Sequence, residues 1–168
     1  MMSRGYSLFY MGLTAICVVA GVGALAAWIK PVKAVVDFSV SESVWFGRSN
    51  RGFEEALLNF KVDVDLTESV FMNTRLFYSY IIAEWESKPN DKHSIILWNQ
   101  LIKKEEPHYV GVDVPGNFTF RQVGSTMKGQ TVNLTFAVQQ VPYVGFFKTE
   151  RLLTKQFTLP AKYHASVV

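Results

Sequence analysis

Hydrophobic and polar positions divide this chain in two. Residues 8–29 carry no charge, which returns only at Lys30. At about 1.5 Å per helical residue this run reaches about 33 Å, enough to cross a hydrocarbon core of about 30 Å. It predicts a transmembrane helix. Further on, the period changes to two. Leu58, Phe60, Val62, Val64 and Leu66 alternate with Asn59, Lys61, Asp63 and Asp65, the pattern of a strand with one buried face. Residues 76–85 are apolar at both parities and rich in aromatic and β-branched side chains, which predicts a central strand covered on both sides. Lys88-Pro89-Asn90-Asp91 then turns the chain. Strands are also predicted over 94–102, 109–114, 118–123, 130–141 and 152–159, with turns at Pro115-Gly116 and over 124–129. A short helical turn fits 67–74. The predicted fold class is all-β, a single N-terminal transmembrane helix followed by an antiparallel β-sandwich. The connection over 30–34 is short, so the sandwich is expected close to the membrane surface.

Two sequons, Asn117-Phe118-Thr119 and Asn133-Leu134-Thr135, bear on the compartment. Strand alternation sends Phe118 and Phe120 to one face, as it does Leu134, Phe136 and Val138. Asn117 and Asn133 then point the opposite way, where a glycan can stand in solvent. Use of either places the C-terminal domain in the secretory lumen or outside the cell. Flanking charge leaves the orientation to the sequons, because Arg4 is opposed by Lys30 and Lys33. Ala24-Leu25-Ala26 also fits a signal-peptide cleavage site. Retention is the preferred reading, since the apolar run exceeds an h-region of about 7 to 15 residues and ends with the interface-suited Trp28 and Lys30. Ala20, Gly23, Ala24 and Ala27 fall on one stripe of the helix and predict close packing against a partner helix.

Composition narrows the function by exclusion. Seventeen basic against 14 acidic residues give a net charge of +3, too little for a nucleic-acid field, and Lys103-Lys104 are followed by Glu105-Glu106 as in a solvated strand end. The single cysteine, Cys17, lies in the apolar run, so the sandwich holds together by packing without an internal disulfide. Residues 124–130 have the glycine spacing of a phosphate loop, but Gln130-Thr131 stand where its lysine belongs; they read as a turn. His93, His108 and His164 lack the paired spacing of a metal site. Asp63 and Asp65 stand roughly 7 Å apart on one strand face, where they read as solubilising residues. No catalytic, cofactor-binding, metal-binding or small-molecule site is predicted. Trp45-Phe46 and residues 143–147 remain, readable as sandwich core or as a membrane-proximal ring contacting lipid or a partner. Core is preferred.

Several segments resemble subunit 3 of the eukaryotic signal peptidase complex, an accessory glycoprotein of the endoplasmic reticulum. They are Ser3-Arg4, Ser7-Leu8-Phe9, Leu76-Phe77, Tyr80-Ile81-Ile82-Ala83-Glu84-Trp85, Ile95-Ile96-Leu97-Trp98-Asn99, Leu134-Thr135-Phe136 and Val141-Pro142-Tyr143-Val144-Gly145. Residues 41–52 depart from the family pattern. The resemblance implies a short cytosolic tail over 1–7, a transmembrane signal-anchor helix over 8–29 and a luminal β-sandwich over 30–168. It also implies partnership with a catalytic signal peptidase subunit and the small membrane subunits of the complex, with no enzymatic activity or cofactor of its own. The family's sequon falls about two residues before Asn133, so Asn133 is a shifted counterpart and Asn117 an additional site. The alternatives are a membrane-anchored adhesion or ligand-binding module and, less favoured, an independent hydrolase.

Overall fold

The computed structural model describes residues 2–48, 52–88, 91–122 and 126–163, with the backbone alone at 2–4, 27, 42–44, 87 and 88. A 28-residue helix α1, Met2–Ile29, leads the chain. Its segment Gly5–Ala26 is long and apolar enough to cross a membrane. The hydroxyl of Thr14 donates to the Tyr10 carbonyl at 2.7 Å, which satisfies the polar atom within the helix. Pro31, with no N–H to donate, keeps the helix from continuing.

Among the described residues eight strands follow: β1 Val35–Arg48, β2 Glu54–Asp65, β3 Thr74–Lys88, β4 Asp91–Lys103, β5 Tyr109–Pro115, β6 Phe120–Gln122, β7 Thr131–Pro142 and β8 Lys148–Thr158. They form two antiparallel sheets. One has the order β1-β2-β5 with β6 also paired to β2, and the other has the order β4-β3-β7-β8. The helical turn predicted over 67–74 is a single 3-10 turn, Thr67–Ser69.

Period two works as expected in β2: Leu58, Phe60, Val62 and Val64 are buried, with Leu66 buried just beyond the strand. The double-sided segment 76–85 forms most of β3, which lies between β4 and β7. Phe77, Ile81, Ala83 and Trp85 turn inward, while Tyr78 and Tyr80 stack on each other at 5.3 Å. The inner faces meet in an aromatic core. Phe136 lies 6.2 Å from Phe38 and 6.3 Å from Trp98, and Trp85 packs edge-on to Phe120 at 4.5 Å. Lys155 on β8 reaches across to the Asp37 carboxylate at 2.7 Å and the Phe38 carbonyl at 2.6 Å, tying β8 to β1. This pairing holds the Asp37 carboxyl below its ordinary range.

The structure corrects two expectations. Strand β1 was not predicted; it pairs along β2 but carries register shifts between Val40 and Ser43 and between Ser43 and Trp45, so its alternation is interrupted midway before Phe46 returns to the buried parity of Phe38. The strand predicted over 118–123 starts only at Phe120. Ahead of it the backbone bridges the sheets: the Gly116 N–H donates to Leu58 O at 2.8 Å and the Phe118 N–H to Leu97 O at 3.1 Å. Phe118 consequently does not share the buried side of Phe120 and is half exposed. Pro89, Asn90, Gly124 and Ser125, parts of two predicted turns, and Val123, the last residue of the predicted strand over 118–123, lie outside the described residues.

Candidate functional site

The residues considered for chemistry do not converge. Asp63 accepts from the Tyr109 hydroxyl at 3.2 Å, and Asp65 accepts from the Thr67 amide at 2.9 Å and the Thr67 hydroxyl at 2.6 Å. The charge of Asp63 pushes the Tyr109 hydroxyl pKa up, whereas the Thr67 hydrogen bonds hold the Asp65 carboxyl below its usual range. Both carboxylates therefore serve local structure. His93 stacks on Trp85 at 5.2 Å, the His108 carbonyl accepts from the Leu66 amide at 3.0 Å, and His164 lies outside the described residues. Among the described residues no three His, Cys, Asp or Glu side chains are placed to hold a metal ion.

The sequons occupy different settings. Asn117 is exposed, and its side-chain amide donates to the Asn99 carbonyl at 3.1 Å and to Asn99 Oδ1 at 2.7 Å. Asn133 is exposed on β7, whereas Thr135 is buried with its hydroxyl 3.1 Å from that of Thr154. Asn133 edges a polar cleft of about 540 Å³ whose wall includes the Glu84–Arg151 pair, held by two hydrogen bonds of 2.9 and 3.1 Å.

The most connected feature outside the core is the joint between α1 and the base of the sandwich. The loop 143–147, between β7 and β8, and the turn 71–73, ahead of β3, meet the last turns of the helix. Asn73 holds them together: its side-chain amide donates to Gly23 O on the helix at 3.1 Å and to Val144 O at 2.7 Å. Its Oδ1 accepts from the Val144 amide at 3.0 Å, and its backbone carbonyl accepts from the Tyr143 amide at 2.9 Å. Gly145, at φ +115°, approaches so closely that a Cβ there would lie 3.0 Å from Ala24 Cβ. On the other side of the joint, Lys148 donates to Lys30 O at 2.9 Å and pairs with Glu150 at 2.9 Å, while Glu150 accepts from the Val32 amide at 3.1 Å.

Two members of the predicted stripe, Gly23 and Ala24, thus meet the chain's own loop. Ala20 is half-buried one turn earlier, and the side chain of Ala27 lies outside the described residues. Asn73 was invisible to sequence reasoning, because its partners stand 50 and 71 residues away. Of the aromatic clusters, Phe46 is core, 5.2 Å from Tyr163. The preference for core fails at 143–147, where Tyr143, Phe146 and Phe147 are 55%, 88% and 66% exposed. The chain needs this loop to cross from β7 to β8 against the helix, which leaves its aromatic rings outside both sheets.

A family profile described as "Signal peptidase subunit" matches residues 1–162, a span that takes in α1, the joint and every strand. The chain is similar to signal peptidase complex subunit 3 of Dictyostelium discoideum, at 23% identity over 128 residues covering 76% of this chain and 75% of the relative. It is similar to signal peptidase complex subunit 3 of Caenorhabditis elegans at 24% identity over 148 residues, covering 85% and 81% of the two chains. Adipocyte-related X-chromosome expressed sequence 1 of Mus musculus is 28% identical over 116 residues, covering 68% and 60%.

Proposed function

Because this chain belongs to the signal peptidase subunit family, we propose that it is a non-catalytic subunit of the signal peptidase complex in the endoplasmic reticulum membrane. Residues 1–7 face the cytosol, 8–29 span the bilayer and 30–168 form the luminal sandwich. The observation that carries this reading is the family match running through both helix and sandwich. The serine nucleophile and its base belong to a separate catalytic subunit, which the sandwich stabilises. A protease acting at a membrane surface needs its cleft at fixed height, and a neighbour whose sheet is locked to its own helix supplies that constraint. Asn73, Lys148 and Glu150 provide the lock. Ala20, on the membrane side of the joint, is where α1 packs against the small membrane subunits of the complex.

Depletion of the chain from cells is expected to accumulate uncleaved secretory precursors and to lower the amount of the catalytic subunit. Pulse-labelling followed by immunoprecipitation of a precursor measures the first effect and immunoblotting the second. Undiminished processing beside a stable catalytic subunit overturns the proposal.

Glycosylation tests the orientation separately. Asn133 is the proposed acceptor, because a glycosylated amide retains one N–H and Asn117 uses its amide for two hydrogen bonds to Asn99. Asn133→Gln is expected to abolish the endoglycosidase-sensitive shift in gel mobility and Asn117→Gln to leave it intact. A shift persisting in Asn133→Gln would assign the glycan to Asn117.

A further inference from the structure

We propose that the loop 143–147, together with Met72, is a lipid-inserted foot that seats the sandwich in the interfacial layer of the bilayer leaflet on its own side. The inference rests on the reading that α1 spans the membrane. Four observations converge on it.

The first is position. Gly145 packs on Ala24 and Asn73 bonds Gly23, five and six residues before the helix ends at Ile29. At about 1.5 Å per residue the contact lies roughly 8 Å back along the axis from that end. The loop therefore stands beside the last turns of the apolar helix. A bilayer that covers α1 up to Ile29 also reaches the loop.

The second is side-chain character. Phe146, Met72 and Phe147 are the most exposed large apolar side chains of this loop and the adjoining turn, at 88%, 82% and 66%, and Tyr143 is 55% exposed. Aromatic residues with apolar bodies accumulate where bilayer meets water, Tyr and Trp above all.

The third is charge. Lys30 lies over the Phe71 ring at 5.2 Å, while Lys104 donates to Met72 O at 3.0 Å and lies 5.9 Å from the Tyr143 ring centre. Cations directly behind an apolar tip suit the phosphate level of the headgroups. Glu150 nearby is neutralised by Lys148.

The fourth is the backbone. Irregular chain is costly in a medium without water unless its polar groups are bonded internally. Here the Tyr143 amide, the Val144 amide and the Val144 carbonyl all bond to Asn73. One asparagine thus supplies the entry of the loop, at Tyr143 and Val144, with partners that lipid lacks.

Spin-label depth measurements on the full chain, reconstituted in phosphatidylcholine vesicles, test the proposal. The native Cys17 labels the middle of α1. Phe146→Cys and, at the far end of the sandwich, Lys128→Cys are labelled in a Cys17→Ser background. The label at 146 is expected to show a ratio of oxygen to nickel-chelate accessibility several-fold above that at 128 and below that at Cys17. If Cys17 reports lipid while 146 matches 128, the foot is overturned and the spanning helix stands. Aqueous readings at both Cys17 and 146 overturn the spanning reading itself. A label at 146 shielded from both reagents means that protein covers the loop, which overturns the lipid assignment.

Discussion

Phe136→Ala is expected to remove about 3 to 5 kcal/mol of stability, the range found when a fully buried phenylalanine is truncated. That is a large share of the roughly 5 to 15 kcal/mol that holds an ordinary domain folded. The reason is location. Phe136 is fully buried on β7, an inner strand of its sheet, and touches both walls of the core through Phe38 on β1 and Trp98 on β4. Without the ring, the two sheets lose their central contact. They cannot close over the gap, because Lys155 and the chain around Gly116 fix their spacing at two edges. Urea unfolding of the full chain in mild detergent, followed through tryptophan emission, measures the effect. Phe147→Ala is the contrast: the ring is two-thirds exposed, and its loss is expected to change stability by less than about 0.5 kcal/mol in detergent. Equal midpoints for the two variants would contradict the core described here.

What the sequence reveals depends on how local the responsible physics is. The burial of β2 is written in five alternating apolar residues, and β3 is marked as central by the apolar character of both its parities. Both are readable because side-chain direction follows directly from position in an extended chain. β1 is not readable in this way. Val36, Phe38 and Val40 alternate properly and Phe46 returns to their buried parity, but two register shifts between Val40 and Trp45 interrupt the pattern, and no continuous run of alternation marks the strand. Residues 143–147 mislead for another reason. Hydrophobicity records that a group avoids water without recording whether protein or lipid replaces it. The joint itself is non-local, since Asn73 gains meaning only when folding brings Gly23 and Val144 to it. The helix–sandwich architecture was therefore legible, and the device that couples its two parts was not.

Gly116→Val is expected to be nearly as disruptive as loss of the central ring, although it adds atoms where the other removes them. A Cβ at Gly116 would stand 2.8 Å from Leu97 O, 3.1 Å from Phe60 Cε2 and 3.3 Å from Leu58 O. Two of these obstacles are backbone carbonyls belonging to opposite sheets, β4 and β2, so no rotamer change relieves the clash. The chain must back away. Doing so breaks the Gly116 N–H bond to Leu58 O and strains the Phe118 N–H bond to Leu97 O, each worth about 0.5 to 1.5 kcal/mol. Overpacking adds about 1 to 3 kcal/mol, and for valine the two methyls on Cβ meet the same walls. The total expected loss is about 2 to 5 kcal/mol, and Gly116→Ala should already show much of it. Gly111→Ala separates this account from a general intolerance of side chains at glycine. There the nearest atoms within reach belong to the exposed, rotatable Tyr109 ring, with the closest at 3.0 Å, and a shift of under about 1 kcal/mol is expected. If Gly116→Ala unfolds at the wild-type urea midpoint, residues 116–118 do not clamp the sheets together. The fixed spacing that makes Phe136 irreplaceable would then need another source.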